Sequence, residues 1–151
     1  MAQTVRFRLD PEAVSALRGL RARLPRHLAA VDEPTVTVAA ATAIPPAART
    51  ALEAELRLLV LPSIWLATLG TVAGRPDELV LAAVVDAELL AVHAAVHDAL
   101  AGRVKGPVAA YLPGAWLPHC VLAAERPSEA FAVLHPVAPV RARVVGVDVG
   151  A

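Results

Sequence analysis

Sulfur and aromatic rings are scarce in this chain. A single cysteine, Cys120, stands among 151 residues, so no internal disulfide can form and the sequence suits a reducing, cytoplasmic setting. Aromatic residues make up 3% of the chain, which leaves any core to leucine, valine and alanine. Charge of neither sign dominates: 14 basic residues face 14 acidic ones, and Lys105 is the sole lysine. That balance disfavours a general nucleic-acid binder, whose affinity comes mainly from neutralised phosphates, so any RNA contact would be local, at an RNA end. Uninterrupted apolar runs of spanning length are missing too. Leu58 to Gly74 is broken by Pro62, and Leu79 to Val96 carries Asp86 and Glu88, so no membrane segment is expected. Arg6, Arg8 and Asp10 occupy the region where a secretory signal would need its apolar core. No phosphate-cradling glycine loop occurs, and Ser15, Ser63 and Ser128 lack a nucleophile elbow. His93 and His97 stand one helical turn apart without a carboxylate motif beside them. The expectation there is a partly exposed helix face, with no metal and no other cofactor.

What the sequence does contain is a repeat. Val5-Arg6-Phe7-Arg8-Leu9 alternates apolar and charged residues as a half-buried strand does, and Asp10-Pro11-Glu12 then supplies a cap, a first-turn proline and an acidic residue near the positive end of the helix dipole. Leu81 to Val85 followed by Asp86-Ala87-Glu88 repeats this pattern, with a helix expected to Leu100. Each unit crosses a loop into a second short strand, holding Thr35 in one and His119 in the other, and each then opens a helix with proline, Pro45-Pro46 or Pro127. The order β-α-β-α thus occurs twice. Side-chain alternation puts Thr35 and Thr37 on one face of the first such strand and His119 and Val121 on one face of the second. Packing of the opposite faces on helices would turn the hydroxyls and the imidazole toward a shared groove.

The rest of the chain reads coarsely as follows. A first helix spans Pro11 to Leu24, with Val14, Leu17, Leu20 and Leu24 on its apolar stripe and Arg18, Arg21 and Arg23 off it; a second runs from about Pro46 to Val60. Ile64 to Val72 and Glu78 to Val85 form a hairpin around the turn Gly74-Arg75-Pro76-Asp77. A loop holding Gly102, Gly106 and Pro107, a turn at Pro113-Gly114, a short helix from Ser128 to Leu134 and a last strand from Val140 to Val149 complete it. No linker divides the chain, so residues 1–151 are expected to form one domain of two pseudo-symmetric lobes.

Trp116-Leu117-Pro118-His119-Cys120-Val121-Leu122-Ala123, set within this repeat, resembles the Pro-His-x-Thr-Leu signature of the 2H phosphoesterase superfamily. The likeness is to its branch of bacterial 2'-5' RNA ligase-like proteins and RNA 2',3'-cyclic phosphodiesterases, and it extends over nearly the whole chain. It implies an α+β fold of two lobes, with two antiparallel sheets lining a central groove and helices outside. It also implies chemistry that needs two facing His-x-Thr/Ser motifs: one histidine as base, one as acid, and two hydroxyls on the phosphate oxygens.

Each motif here has lost a different half. Thr35 stands where the first histidine belongs and Thr37 keeps its hydroxyl; His119 keeps the second histidine, and Val121 replaces the second hydroxyl. A positioned acid or base is worth roughly a hundred- to ten-thousand-fold in rate, and a threonine hydroxyl does not titrate near neutrality. The resemblance therefore implies a degenerate site, with His119 as the one catalytic candidate and ordinary phosphodiesterase activity weak or absent. The expected partner is a small phosphorylated or otherwise anionic ligand. Arg6 and Arg8 share one face of the first strand, and Arg141 and Arg143 one face of the last; their guanidinium forks suit phosphate, the alternative being solvated edge charges. Tyr111 and Trp116 precede the motif and either stack on a base or close the core. A composition that is 57% hydrophobic also signals an apolar surface for a second copy or another partner.

Overall fold

Asp10 and Asp86 both cap helices. Asp10 accepts the amide hydrogen of Ala13 at 3.4 Å, and Asp86 that of Leu89 at 2.8 Å. In the computed structural model, which describes residues 2–151, these caps open the first and third of four helices. The order is β1 (Gln3–Leu9), α1 (Pro11–Ala22), β2 (Thr35–Ala43), α2 (Pro46–Leu56), β3 (Ser63–Val72), β4 (Arg75–Val84), α3 (Ala87–Leu100), β5 (Lys105–Pro107), β6 (His119–Ala123), α4 (Pro127–Leu134) and β7 (Val140–Gly150). Asp10 also accepts the Arg143 amide at 2.7 Å, while its own amide donates to the Arg143 carbonyl at 2.9 Å. One side chain thus starts α1 and ties it to β7.

Strand order across the sheet is β5-β2-β1-β7-β3-β4-β6, with every neighbouring pair antiparallel. Without the short β5, the order mirrors the repeat: β2-β1-β7 on one side matches β6-β4-β3 on the other. The closing strand of each repeat is exchanged. β3, at the end of the first repeat, pairs with β4 of the second, and β7, at the end of the second, pairs with β1 of the first. Val140–Arg143 of β7 also pairs with Ser63–Leu66 of β3, so β7 joins the two halves. The strands farthest apart in this order come back into contact, β2 against β6, so the sheet curls on itself.

Phe7, Leu17, Leu66, Leu81 and Leu122 are fully buried between the strands and the helices. Each such side chain contributes roughly 1.5–3 kcal/mol by leaving water. The core is aliphatic, as the scarcity of rings required.

Several boundaries depart from the sequence expectation. The second helix stops at Leu56 because the amides of Leu58 and Leu59 bond back only three residues, to Glu55 and Leu56, a tightening that ends the α-helix before Pro62. The hairpin turn is only Ala73-Gly74, with Gly74 at φ +88°, and Arg75-Pro76-Asp77 belong to β4. Pairing there jumps from Val72 with Arg75 to Gly70 with Val80, and this irregularity accommodates a proline that cannot donate to the ladder. Lys105–Pro107, expected as loop, adds two pairings to the edge of β2. Arg21, placed off the apolar stripe, is buried 93% because the stripe runs through Val14, Leu17 and Arg21, leaving it 7% exposed.

Candidate functional site

The register of the sheet decides which side chains share a face. Thr35 lies opposite Arg8 and Thr37 opposite Arg6 in the β2–β1 pair; His119 lies opposite Ala82 and Val121 opposite Val80 in the β6–β4 pair. Because β2 and β6 approach each other, Thr35, Thr37, His119 and Val121 line one cavity of about 410 Å³ together with Arg6 and Tyr111. Thr35 and Thr37 of β2 therefore face a common space with His119 and Val121 of β6.

A bulge sets the position of Thr37. Pairing passes from Val5 with Ala39 to Arg6 with Thr37, which leaves Val38 as an extra residue in β2. Its carbonyl receives two imidazoles instead, Nε2 of His93 at 3.1 Å and Nε2 of His97 at 2.8 Å. A carbonyl only accepts, so both rings carry their hydrogen on Nε2. His93 also lies 2.8 Å from the Tyr111 carbonyl, and its ring stacks on Trp116 at 3.9 Å and 3°. Trp116 donates its indole hydrogen to the Thr37 carbonyl at 2.9 Å. The back of the motif strand is thus held by three rings. Burial, and next the neighbouring His97, push the His93 pKa down to about 4. The pair at 93 and 97 is a structural clamp on β2, with His93 buried rather than on an exposed face as expected.

On the opposite wall, His119 donates from Nδ1 to the Leu117 carbonyl at 2.7 Å. In the neutral ring that bond places the hydrogen on Nδ1 and leaves Nε2 with a lone pair for a proton or a ligand. Arg21 reaches the same wall from α1: Nε and Nη2 donate to the Val121 carbonyl at 3.2 and 2.8 Å, and Nη1 donates to the Asp32 carbonyl. Cys120 is buried, and burial pushes its thiol up to about 11, so it is packing and not a nucleophile.

Three cations line the cavity, and two of them have carboxylate partners. Arg21 sits 3.5 Å from Asp32, and Arg75 sits 3.2 Å from Glu78. The Glu78 hydrogen bond, followed by the proximity of Tyr111, raises the Arg75 pKa further. Arg6 differs. Its Nη2 donates to the Ala151 carbonyl at 3.4 Å, while its Nε is buried with no hydrogen-bond partner. A buried donor of this kind costs free energy until an acceptor arrives.

The structure does not bring all the sequence candidates together. Arg8 shares the face of Thr35, but its guanidinium lies over Gly146 and its Nε is 3.3 Å from Asp148. Arg141 and Arg143 line a separate cavity with Asp10, Glu12 and Ser63, at the far ends of the strands. Trp116 is turned into the core, so no base can stack on it. Alternation predicted the face of each strand correctly for these arginines; it carries no information about position along the groove. Arg21, Arg75 and Glu78 were missed as cavity residues. Arg21 could have been found from its spacing to Leu17, whereas Arg75 was hidden by reading a turn and Glu78, read as the first residue of the following strand, carried no signal of its partner. Among the described residues no group of three or more ligating side chains is placed to hold a metal.

Comparison with solved structures finds this architecture in the MHV ns2 PDE domain, with a TM-score of 0.62, 13% sequence identity, and coverage of 99% of this chain and 97% of that one. The α+β fold is therefore that of the 2H phosphoesterases. No protein-family model matches the sequence. No curated protein matches it either. Among the described residues no helix is long and apolar enough to cross a membrane.

Proposed function

We propose that this chain is a member of the 2H phosphoesterase superfamily, from its 2'-5' RNA ligase-like branch, that binds a small phosphorylated or otherwise anionic ligand with little or no ordinary phosphodiesterase activity. The observation that carries this reading is the convergence of His119, Thr35, Thr37 and Arg6 on one cavity of about 410 Å³. A phosphate oxygen would pair with the Arg6 guanidinium, and Thr37 would supply a further hydrogen bond. On the other wall the ligand would meet His119 Nε2 and the methyls of Val121. Two-histidine catalysis has no second histidine here, since threonine fills that position.

A second reading, an enzyme that uses His119 alone as acid or base, is favoured by the tautomer that Leu117 enforces. Titration calorimetry with a 2',3'-cyclic nucleotide and with inorganic phosphate separates the two. Binding without turnover, lost in Arg6→Ala and weakened in Thr37→Val, is the expected result. Hydrolysis that disappears in His119→Ala would replace the first reading by the second, and failure to bind either compound would overturn both.

A further inference from the structure

The groove does not end at His119. A second hollow of about 290 Å³ adjoins the His119 cavity, and the two share Arg75, Tyr111 and His119 in their walls. Past those three residues the chemistry changes. The side chains that line the second hollow alone are Val72, Ala73, Ala110, Ala115 and Leu117, and none of them carries a donor, an acceptor or a charge. Arg6, Arg21, Asp32, Glu33 and Glu78 all lie on the other side of the junction.

Residues 109–117 form one wall of this hollow, and two contacts hold them, both through His93. The Tyr111 carbonyl lies 2.8 Å from His93 Nε2, and Trp116 stacks on the same ring at 3.9 Å. Around these anchors the chain turns tightly, the Leu112 amide donating to the Ala109 carbonyl at 3.2 Å and the Ala115 amide to the Leu112 carbonyl at 3.0 Å. The wall is therefore in place before any ligand arrives, and little ordering cost opposes binding there. Leu117 stays 39% exposed at the edge, apolar surface that an occupant would cover.

A molecule anchored by its anion beside Thr37, Arg6 and His119 reaches this hollow once it is longer than phosphate itself. A sugar or the edge of a nucleobase would exchange water for carbon there, leaving its polar atoms without side-chain partners. An aromatic or branched alkyl group would lose nothing and would lie against the Tyr111 ring. We propose, resting on the anion reading of the His119 cavity, that the ligand is a phosphate ester of an aromatic or otherwise apolar alcohol. The phosphoryl group takes the first cavity, the organic group takes the second, and the ester oxygen between them passes His119 Nε2. Val72, Ala115 and Leu117 then set the specificity.

Titration calorimetry on the intact chain compares inorganic phosphate, phenyl phosphate and uridine 3'-phosphate. Phenyl phosphate should bind about tenfold tighter than inorganic phosphate, the gain expected from taking much of one ring out of water, and the nucleotide no tighter than inorganic phosphate. Val72→Ser and Ala115→Trp alter positions that line only the second hollow. Each should cut the phenyl advantage by about threefold or more while leaving the affinity for inorganic phosphate unchanged, which also shows that the variant folds. A phenyl ester no tighter than phosphate, a nucleotide tighter than the phenyl ester, or an advantage indifferent to both substitutions overturns the proposal and leaves the anion site standing. Binding of none of the three compounds overturns the anion reading, and the proposal falls with it.

Discussion

Replacing His93 by glutamine should flatten the acid side of the stability curve. The ring is 1% exposed, and its pKa is held at about 4 against an ordinary 6.5. Between those values the unfolded chain binds a proton that the folded chain refuses. The contribution is therefore intact above the unfolded value and is lost progressively as pH falls toward 4. One pKa unit corresponds to about 1.4 kcal/mol, so the loss from this single group between pH 7 and pH 5 is about 2 kcal/mol. Glutamine keeps a donor for the Val38 carbonyl and removes the titration. Urea unfolding of both proteins at the two pH values gives a difference of differences in which the shared carboxylates cancel. The original chain should lose about 2 kcal/mol more than the variant. Equal losses would refute the assignment of His93 as a neutral clamp.

Three further outcomes follow from the geometry. Thr35→His combined with Val121→Thr should raise 2',3'-cyclic nucleotide hydrolysis by roughly a hundredfold or more, as expected for a restored acid or base; a folded double variant with no gain would break the alignment of the motifs. Gly106→Ala should cost about 1–3 kcal/mol, because the residue has φ +58° and the added Cβ lands against Thr42 Oγ1. An unchanged Tm would contradict that account of β5. Asp10→Ala removes both the α1 cap and the acceptor for the Arg143 amide, a loss of about 2 kcal/mol that chemical denaturation would read.

The parts of the fold legible in sequence were those written in local chemistry. Asp10-Pro11 and Asp86-Ala87 announce helix starts by a rule that needs no neighbours, and α3 runs from Ala87 to Leu100 as the pattern indicated. Period-2 alternation separated Thr35 and Thr37 from Val36 and Val38, which are fully buried. What failed depended on distant partners. The bulge at Val38 is a mismatch between two strands, so the need for His93 and His97 behind it cannot be read from either strand alone. Pro76 reads locally as a breaker, yet an irregular register lets it stand within β4. Lys105–Pro107 has neither apolar alternation nor length, and it becomes a strand only because the edge of β2 is free to receive it. Position along the groove was equally invisible: Arg6 and Arg141 obey the same alternation and end at opposite poles.

The exchange of closing strands has a consequence for how such a molecule comes into being. A single βαβαβ copy would leave β1 or β4 with an unsatisfied edge and would carry a final strand that fits only another copy, so half of this protein is not a self-sufficient unit. A protein built from one copy alone would therefore have to exist as an intertwined pair. A protease cut at Gly74 in the modern chain should accordingly yield two fragments that stay clasped, each donating the strand that the other lacks.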